Sequence, residues 1–322
     1  MLSHKYAIIA DFDRCLADTF SPSPNGIGVD EAYEYAIECL FGKYGLKLYK
    51  ELGGLKNRAP GEVIKEMLLV GKKAKMIKLA GTFFQQNKES LENLVPRGGF
   101  PLEWVNGLWD PTNVITELLI RCKLKLLMGE IGEEWPLPCQ GAIEFLKVID
   151  RIGSQPGIDI ELIIISSGHY KFIRETLLYW NTFAFQGILV TDDVMRARKY
   201  PEKLSDRVKP SVTLFDLAHL MWFNTTHPIV VDQLQLVKFL RETHPRMMYF
   251  GDDPVKDGKL ARVAGVHFGW FNPKNKPNSS LEEGKFFSFD DWRDVSQVFS
   301  QENTIQLFKA GRPFEEIIAP LL

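Results

Sequence analysis

Two aspartates, Asp11 and Asp13, follow directly after the short apolar run at residues 6–10. Side chains two positions apart in an extended segment point to the same side, so both carboxylates would face one site. Two close carboxylates repel each other, and either a cation lies between them or one takes up a proton. The pair could therefore supply a metal-held nucleophile beside a general acid, although a solvated turn also explains the pair when it is taken alone.

A second acidic cluster comes late in the chain, where Asp252, Asp253 and Asp257 follow the apolar run at residues 247–250. Oxygen ligands without histidine or cysteine select hard cations, and magnesium is the commonest of these beside phosphate. A capped turn explains Asp253 before Pro254, but it accounts less well for the whole cluster. The cluster therefore favours a Mg²⁺ site.

A short polar segment, Ser166-Ser167-Gly168, follows the apolar run at residues 163–165. A serine hydroxyl at a strand end can donate to a phosphoryl oxygen, and a glycine lets the backbone approach a ligand closely. Taken alone the segment is weak support, because Ser-Gly after a strand is common in loops.

Lys209 precedes Pro210 at the start of a helical pattern at residues 212–222. The residue before a proline is held extended, which places Lys209 at a loop-to-helix junction. Its point charge could hold a nucleophilic carboxylate and a phosphoryl oxygen together. Lys199 and Lys203 are nearby alternatives, and a solvated lysine is the default interpretation of all three.

Short apolar runs predict the strands that must position these residues. Continuous apolar runs suit strands buried on both faces of a parallel sheet, and helical patterns at residues 141–152 and 169–180 alternate with them. The alternation predicts a doubly wound α/β fold, in which active sites lie at the carboxyl ends of the strands. The predicted strands are residues 6–10, 162–165, 188–190, 247–250 and, more weakly, 266–271.

The segment between the first two strands is predicted to be helical. Turn-rich stretches at residues 21–26 and 135–138 bound it. It therefore predicts a helical domain, residues 20–135, inserted into an α/β core formed by residues 1–19 and 136–322. The helical patterns lie at residues 30–44, 61–69, 73–94 and 113–128.

The composition excludes several classes of protein. Lys plus Arg is 39 and Asp plus Glu is 41, a net charge of −2, which does not indicate a nucleic-acid partner. Four widely spaced cysteines without a CxxC pair favour reduced thiols. No secretory signal and no apolar run of about 18 residues is present, so we expect a cytoplasmic protein without a membrane partner. The oligomeric state stays open.

The segments DFDRCLADT, IIISSG, KP and GDDPVKD occur in that order and resemble the four motifs of the haloacid dehalogenase-like (HAD) hydrolase superfamily. The resemblance covers residues 5–20 and about 136–271. It implies that Asp11 attacks phosphorus and that Asp13 protonates the leaving group and later activates water. It also implies that Ser166 and Lys209 contact the phosphoryl group and that Ser167 and Gly168 contact the substrate. The implied Mg²⁺ ligands are Asp11, the Asp13 main-chain oxygen and Asp252. Asp257 and, less certainly, Asp253 would be supporting acids.

The chain departs from the family pattern in three places. Arg14 replaces the usual glycine and Cys15 the usual threonine, which makes the turn after the acids bulkier. The spacing between Lys209 and Asp252 is longer than usual, and the extra residues around 219–231 have no assigned role.

Arg58 is the candidate substrate residue outside the core. It lies in the Gly- and Pro-rich stretch 52–61, whose position resembles the cap loop of β-phosphoglucomutase, where an arginine meets the substrate. A guanidinium would suit a second phosphate or a carboxylate. A solvated arginine on a helix–helix connection is an equally good interpretation.

The favoured function is a Mg²⁺-dependent phosphatase of a small phosphorylated metabolite, working through an aspartyl-phosphate. A phosphomutase shares every motif, and a catalytically silent binding protein on the same fold is a third interpretation. A dehalogenase is disfavoured, because Asp13 would serve no purpose in its chemistry.

Overall fold

The computed structural model describes residues 4–20, 28–55, 58–92, 111–127, 136–191, 209–226, 233–277, 281 and 285–322. The chain divides into two compact units. The core unit comprises Met1–Asp18 and Leu137–Leu322, and the helical unit comprises Thr19–Pro136. The predicted boundary segment 21–26 and the alternative lysines Lys199 and Lys203 lie outside the described residues.

A parallel sheet organises the core unit. Among the described residues, the strands are β1 (His4–Ala10), β2 (Ala17–Asp18), β3 (Leu137–Pro138), β4 (Ile158–Ser166), β5 (Ile188–Thr191), β6 (Met247–Gly251), β7 (His267–Phe271) and β8 (Phe286–Phe289). Six of them form one sheet in the order β5-β4-β1-β6-β7-β8 with every pair parallel, and β2 pairs with β3 in a separate antiparallel ribbon.

The described helices fall into two groups. The helical unit contains α1 (Val29–Glu51), α2 (Pro60–Val70), α3 (Lys73–Glu92) and α4 (Pro111–Lys125). The core unit contains α5 (Ala142–Gly153), α6 (Tyr170–Tyr179), α7 (Val212–Thr226), α8 (Gln233–Thr243), α9 (Asp257–Ala264), α10 (Trp292–Phe299), α11 (Glu302–Lys309) and α12 (Phe314–Ile317). No described helix is long and apolar enough to cross a membrane.

Apolar packing covers both faces of the large sheet. On one face Ile9 and Ile163 belong to a buried cluster that includes Trp222 of α7. On the other face the ring of Phe250 lies 5.6 Å from that of Phe145 on α5 and 5.0 Å from that of Trp292 on α10. Helices on both faces make this the predicted doubly wound α/β fold, and the five predicted strands are confirmed.

The strands β2, β3 and β8 and the helices α8 to α12 were not predicted from the sequence. The strand β8 is a short edge strand that alternates buried Phe287 and Phe289 with exposed Ser288, so it lacks the continuous apolar run of the central strands. The helix α9 begins at Asp257, inside the acidic cluster that follows β6. That cluster was interpreted as a metal site, and no helical pattern was recognised in it.

The helical unit is built around α4. This helix packs against α1, α2 and α3, and the predicted apolar face of Val114, Leu118, Leu119 and Cys122 is buried. The opposite side is buried as well, including Arg121, whose guanidinium pairs with Glu117 at 3.0 Å. The helix α1 runs past its predicted end and is kinked at Gly42, where φ is 67°.

Candidate active site

The sheet register brings the first and fourth motifs together. Ala10, the last residue of β1, pairs with Ile164 of β4 on one side and with Phe250 of β6 on the other. The main-chain N–H of Asp11 continues this ladder by donating to the Phe250 carbonyl at 2.9 Å. The residues after these three strands therefore meet at one edge of the sheet, which is where the sequence placed the site.

The chain turns tightly directly after Asp11. The Phe12 carbonyl accepts from the N–H groups of Leu16 and Ala17 at 3.0 and 2.9 Å, and the Arg14 N–H donates to the Ala17 carbonyl at 2.7 Å. Arg14 has a φ of 62°, in the left-handed region where a side chain costs about 1–2 kcal/mol. Glycine, which is usual at the position of Arg14 in the HAD-like motif that this segment resembles, adopts such a φ without steric cost.

Lys209 lies at the centre of the acids. Its ammonium is 2.8 Å from Asp11 Oδ1 and 2.8 Å from Asp257 Oδ1, and its side chain is only 7% exposed. Burial alone would lower the pKa of Lys209, but Asp11 and Asp257 together raise it well above its usual value. Lys209 is therefore a fixed cation that joins the first motif to the fourth.

Asp257 anchors this lysine. Its Oδ1 also accepts from the Tyr249 hydroxyl at 3.1 Å, and its Oδ2 accepts from the Asp253 N–H at 3.2 Å. Both oxygens are thus engaged by the protein, and Asp257 is nearly inaccessible at 1% exposure. Asp257 therefore holds Lys209 in place, and its predicted supporting role in catalysis stays a prediction.

Three carboxylates share a small volume around Lys209. Ligand oxygens of Asp11, Asp252 and Asp257 lie within 4.8 Å of one another. Burial and the neighbouring acids raise the pKa of Asp11 well above its usual value, although Lys209 opposes them. Burial, followed by Asp257, raises the pKa of Asp252 to about 6, against the lowering effects of Lys209 and Arg14.

Burial is the largest cause of both raised pKa values, and the neighbouring acids add to it because three carboxylates lie near one lysine. The donors are all carboxylate oxygens, which fit a hard divalent cation such as Mg²⁺. Because both oxygens of Asp257 are engaged, Asp11 and Asp252 are the side chains best placed to hold the ion.

The second motif contacts the first through Ser166. Its hydroxyl donates to Asp13 Oδ2 at a long 3.4 Å and accepts from the Gly168 N–H at 3.0 Å. A Cβ on Gly168 would lie 3.2 Å from both Asp13 Oδ2 and Ser166 Oγ, so a side chain here would crowd the site. Ser167 is exposed beside them.

Arg58 has partners inside the helical unit. Its guanidinium donates to the Leu52 carbonyl at 3.0 Å and pairs with Glu66 on α2. These contacts account for its position without a substrate, so its predicted role as a substrate contact stays a prediction. Asp253 is a turn residue whose Oδ1 caps the N–H groups of Val255 and Lys256 at 2.9 and 3.0 Å.

Three aromatic residues that hold the site were not identified from the sequence. Tyr249 fixes Asp257, Trp270 Nε1 donates to the Asp252 carbonyl at 3.2 Å, and Trp292 Nε1 donates to the Cys15 carbonyl at 2.8 Å. The only sequence signal is an aromatic residue with a polar group near the carboxyl end of a strand or at the start of a helix. Cys15 is fully buried, and burial raises the pKa of its thiol.

Comparisons with known proteins give similarity in structure alone. No protein-family model matches the chain, and no curated protein matches it. Among solved structures, it is similar to YfnB from Bacillus subtilis, assigned to the HAD-hydrolases and crystallised with magnesium. That alignment has a TM-score of 0.44 and 12% identity, and it covers 92% of this chain and 100% of YfnB.

Two other similar structures carry different activities in their names. The 2-haloacid dehalogenase from Pseudomonas syringae aligns with a TM-score of 0.45 and 13% identity over 93% of this chain and 99% of its own. The HAD phosphatase from Thermococcus onnurineus aligns with a TM-score of 0.41 and 12% identity over 92% of this chain and 98% of its own. All three TM-scores are below 0.5, so these similarities do not assign an activity to this chain.

Proposed function

We propose that this chain is a Mg²⁺-dependent phosphohydrolase of the haloacid dehalogenase-like superfamily that acts on a small phosphorylated metabolite. The observation that carries the proposal is the buried contact of Lys209 with Asp11 and Asp257, at the sheet edge where Asp13 meets Ser166. The four resembling motifs and the helical insertion after β1 support the same assignment.

Asp11 is the proposed nucleophile. One of its carboxylate oxygens attacks phosphorus, a bond forms between that oxygen and phosphorus, and the bond from phosphorus to the leaving oxygen breaks. Lys209 and the Phe12 N–H both contact Oδ1, at 2.8 and 2.7 Å. Within the described part of the chain no hydrogen bond or ion pair engages Oδ2, so this oxygen is the one suited to attack or to metal binding.

Asp13 is the proposed acid and base. It gives its proton to the leaving oxygen in the first step. In the second step the resulting carboxylate takes a proton from water, the water oxygen attacks phosphorus, and Asp11 is released as a carboxylate. General acid–base help of this kind contributes about 10²–10⁴ in rate.

Positive charge and hydrogen-bond donors position the phosphoryl group. The Ser166 hydroxyl accepts from the Gly168 N–H, and its own proton makes only the long 3.4 Å contact with Asp13, which a phosphoryl oxygen could replace. Lys209 lies close enough to Asp11 to contact a phosphoryl oxygen there. Mg²⁺ held by Asp11, Asp252 and the Asp13 main-chain oxygen would neutralise the phosphoryl charge when bound.

A phosphatase fits this site better than a dehalogenase. Displacement of halide from carbon needs an attacking carboxylate, but it needs neither an acid for an oxygen leaving group nor a divalent cation. The contact of Asp13 with Ser166 and the surplus of buried carboxylates both suit phosphoryl transfer.

The test compares phosphate and halide release by the purified chain with Mg²⁺, using a panel of phosphorylated metabolites and 2-chloropropionate. We expect phosphate release that Asp11→Asn abolishes and that Asp150→Asn, an exposed acid on α5, leaves intact. Asp13→Asn should slow alkyl phosphate hydrolysis more than p-nitrophenyl phosphate hydrolysis, because the second leaving group needs no proton. Halide release without phosphate release would overturn the proposal.

A further inference from the structure

Two of the four cysteines, Cys39 on α1 and Cys122 on α4, belong to the helical unit. The two helices pack directly against each other. A hydrogen bond joins the Cys39 and Cys122 thiols across this packing, so the two sulfur atoms are in contact. Cys15 and Cys139 belong to the core unit. The fold of the helical unit therefore brings together two cysteines that are far apart in the chain.

The two thiols differ in their access to solvent. Cys39 is exposed, whereas Cys122 is only 3% exposed. An oxidant in solution therefore reaches Cys39 more readily than Cys122. An accessible thiol with a second thiol beside it is typical of redox-sensing cysteines, in which the second thiol closes a disulfide after the first has been oxidised.

The surroundings of Cys39 favour its reactive form, the thiolate. The hydrogen bond from Cys122 is the largest cause that lowers the pKa of Cys39 to about 7, and Lys125 adds to it against the opposing effects of burial and Glu38. Lys125 is three positions from Cys122 on α4, so the two side chains lie on the same face of that helix. At neutral pH a substantial share of Cys39 is therefore a nucleophile.

We propose that Cys39 and Cys122 are a reversible redox pair, in which a hydroperoxide oxidises Cys39 and Cys122 then closes a disulfide between α1 and α4. Because the thiols are already in contact, side-chain rotation brings the sulfurs toward the disulfide length of about 2.05 Å. The disulfide would fix α4, the helix around which the helical unit is built, to α1. A thiol reductant would reverse it by exchange.

The oxidation takes two steps. In the first, the Cys39 thiolate attacks an oxygen of the hydroperoxide, a sulfur–oxygen bond forms and the oxygen–oxygen bond breaks. The Cys39 sulfur is oxidised to a sulfenic acid, and the peroxide is reduced to hydroxide or alkoxide. In the second, the Cys122 sulfur attacks the Cys39 sulfur, a disulfide bond forms and the sulfur–oxygen bond breaks. The departing hydroxyl takes the Cys122 thiol proton and leaves as water.

Peptide mass spectrometry of the full chain tests the pair after brief treatment with hydrogen peroxide, with the remaining thiols alkylated in denaturant before digestion. We expect a peptide linked through Cys39 and Cys122 that dithiothreitol removes, while Cys15 and Cys139 are recovered as alkylated thiols. If the contact is packing alone, peroxide converts Cys39 to sulfinic or sulfonic acid without the linked peptide. That result, or a Cys39–Cys39 link between two chains, would overturn the proposal.

Three variants test the order of the steps. Cys122→Ala should leave Cys39 as a sulfenic acid that dimedone captures, because the partner thiol is missing. Cys39→Ser should slow the oxidation of Cys122 by at least about tenfold, because a buried thiol meets peroxide less readily. Cys139→Ser, which removes a buried cysteine of the core unit, is the matched control and should form the link at the wild-type rate. Circular dichroism checks that each variant is folded. Oxidation of Cys122 at an undiminished rate in Cys39→Ser would contradict the assignment.

Discussion

The acid cluster of the core unit and the centre of the helical unit both bury charge, but in different ways. Around Lys209, three carboxylates lie near one lysine, and burial, with help from the neighbouring acids, raises the pKa values of Asp11 and Asp252. Around α4, Arg121 is paired with Glu117, and the Lys123 ammonium lies 5.1 Å from the Tyr33 ring. The first arrangement has an excess of carboxylates, whereas in the second Arg121 has a carboxylate partner and Lys123 lies over an aromatic ring.

This difference between the two groups of buried charges indicates which of them is a candidate for chemistry. Burying charge costs free energy, so an unbalanced group of buried acids either takes up protons or binds a cation. A balanced buried pair is consistent with structure alone. The acid cluster of the core unit is therefore the candidate site, and packing accounts for the buried charges described around α4.

The largest expected effect comes from removing the shared lysine. Lys209→Met leaves Asp11 and Asp257 without their cation, and we expect phosphate turnover to fall by about 10²–10³ or more. The free energy of unfolding of the metal-free protein should also fall by about 3–5 kcal/mol, because the substitution leaves the buried carboxylates of Asp11 and Asp257 without their counter-charge. Steady-state kinetics and denaturant unfolding measure the two effects.

The matched variant in the helical unit is Lys123→Met, which removes a lysine side chain that is also buried. It should alter stability and leave the turnover number unchanged. An equal loss of turnover in both variants would break the comparison, because it would give the centre of the helical unit a catalytic part.

The next largest effect is the pH dependence of the stabilisation by Mg²⁺. Asp252 has a pKa of about 6 in the folded protein against 3.8 ordinarily, chiefly because it is buried. Between those values the folded state binds more protons than the unfolded chain, so the stability of the metal-free protein falls as pH rises through this window. Mg²⁺ competes with the proton, and its gain in Tm should therefore grow as pH rises through about 6. Thermal melts with and without Mg²⁺ check this. An equal increase in Tm on adding Mg²⁺ at about pH 5 and at about pH 8 would contradict this account.

The cysteines give a smaller contrast between the units. A hydrogen bond with Cys122 lowers the pKa of the exposed Cys39 to about 7, whereas burial raises the pKa values of Cys15 and Cys139. Thiolates are the reactive form, so Cys39 should be alkylated first by iodoacetamide. Peptide mass spectrometry after brief labelling checks this, with Cys39→Ser as the control. Faster labelling of Cys15 would mean that the core unit opens more readily than the structure indicates.

The smallest effect concerns the backbone at Arg14. Glycine adopts a φ of 62° without steric cost, so Arg14→Gly should be more stable than Arg14→Ala by about 1 kcal/mol. Both variants lose the charge near Asp252, so their difference isolates the backbone. Equal unfolding free energies would show that the turn relaxes when the arginine is removed.

Most of the core could be predicted because parallel strands bring their carboxyl ends to one edge. That rule placed Asp11, Ser166 and Asp252 together, and the resemblance to the family motifs selected Lys209 among nearby lysines. The same reasoning missed Tyr249, whose hydrogen bond to Asp257 depends on how α9 lies against β6, and Trp292, whose hydrogen bond reaches the Cys15 carbonyl 277 positions away.

The helical unit was predicted less completely for a physical reason. An apolar stripe predicts one buried face of α4, but burial of Arg121 on the other side depends on three neighbouring helices. The predicted substrate contact of Arg58 came from the resemblance of its loop to the cap loop of β-phosphoglucomutase. Its contacts with Leu52 and Glu66 could not be predicted from the spacing of residues in the sequence.

The central claim is that Asp11 carries the phosphoryl group. In the Asp13→Asn variant the release of that group should be slow, because no base activates water. Acid quenching after mixing this variant with p-nitrophenyl phosphate and Mg²⁺, followed by peptide mass spectrometry, should show one phosphoryl group on Asp11. Turnover without any phosphorylated peptide, or a phosphoryl group on another residue, would contradict the account.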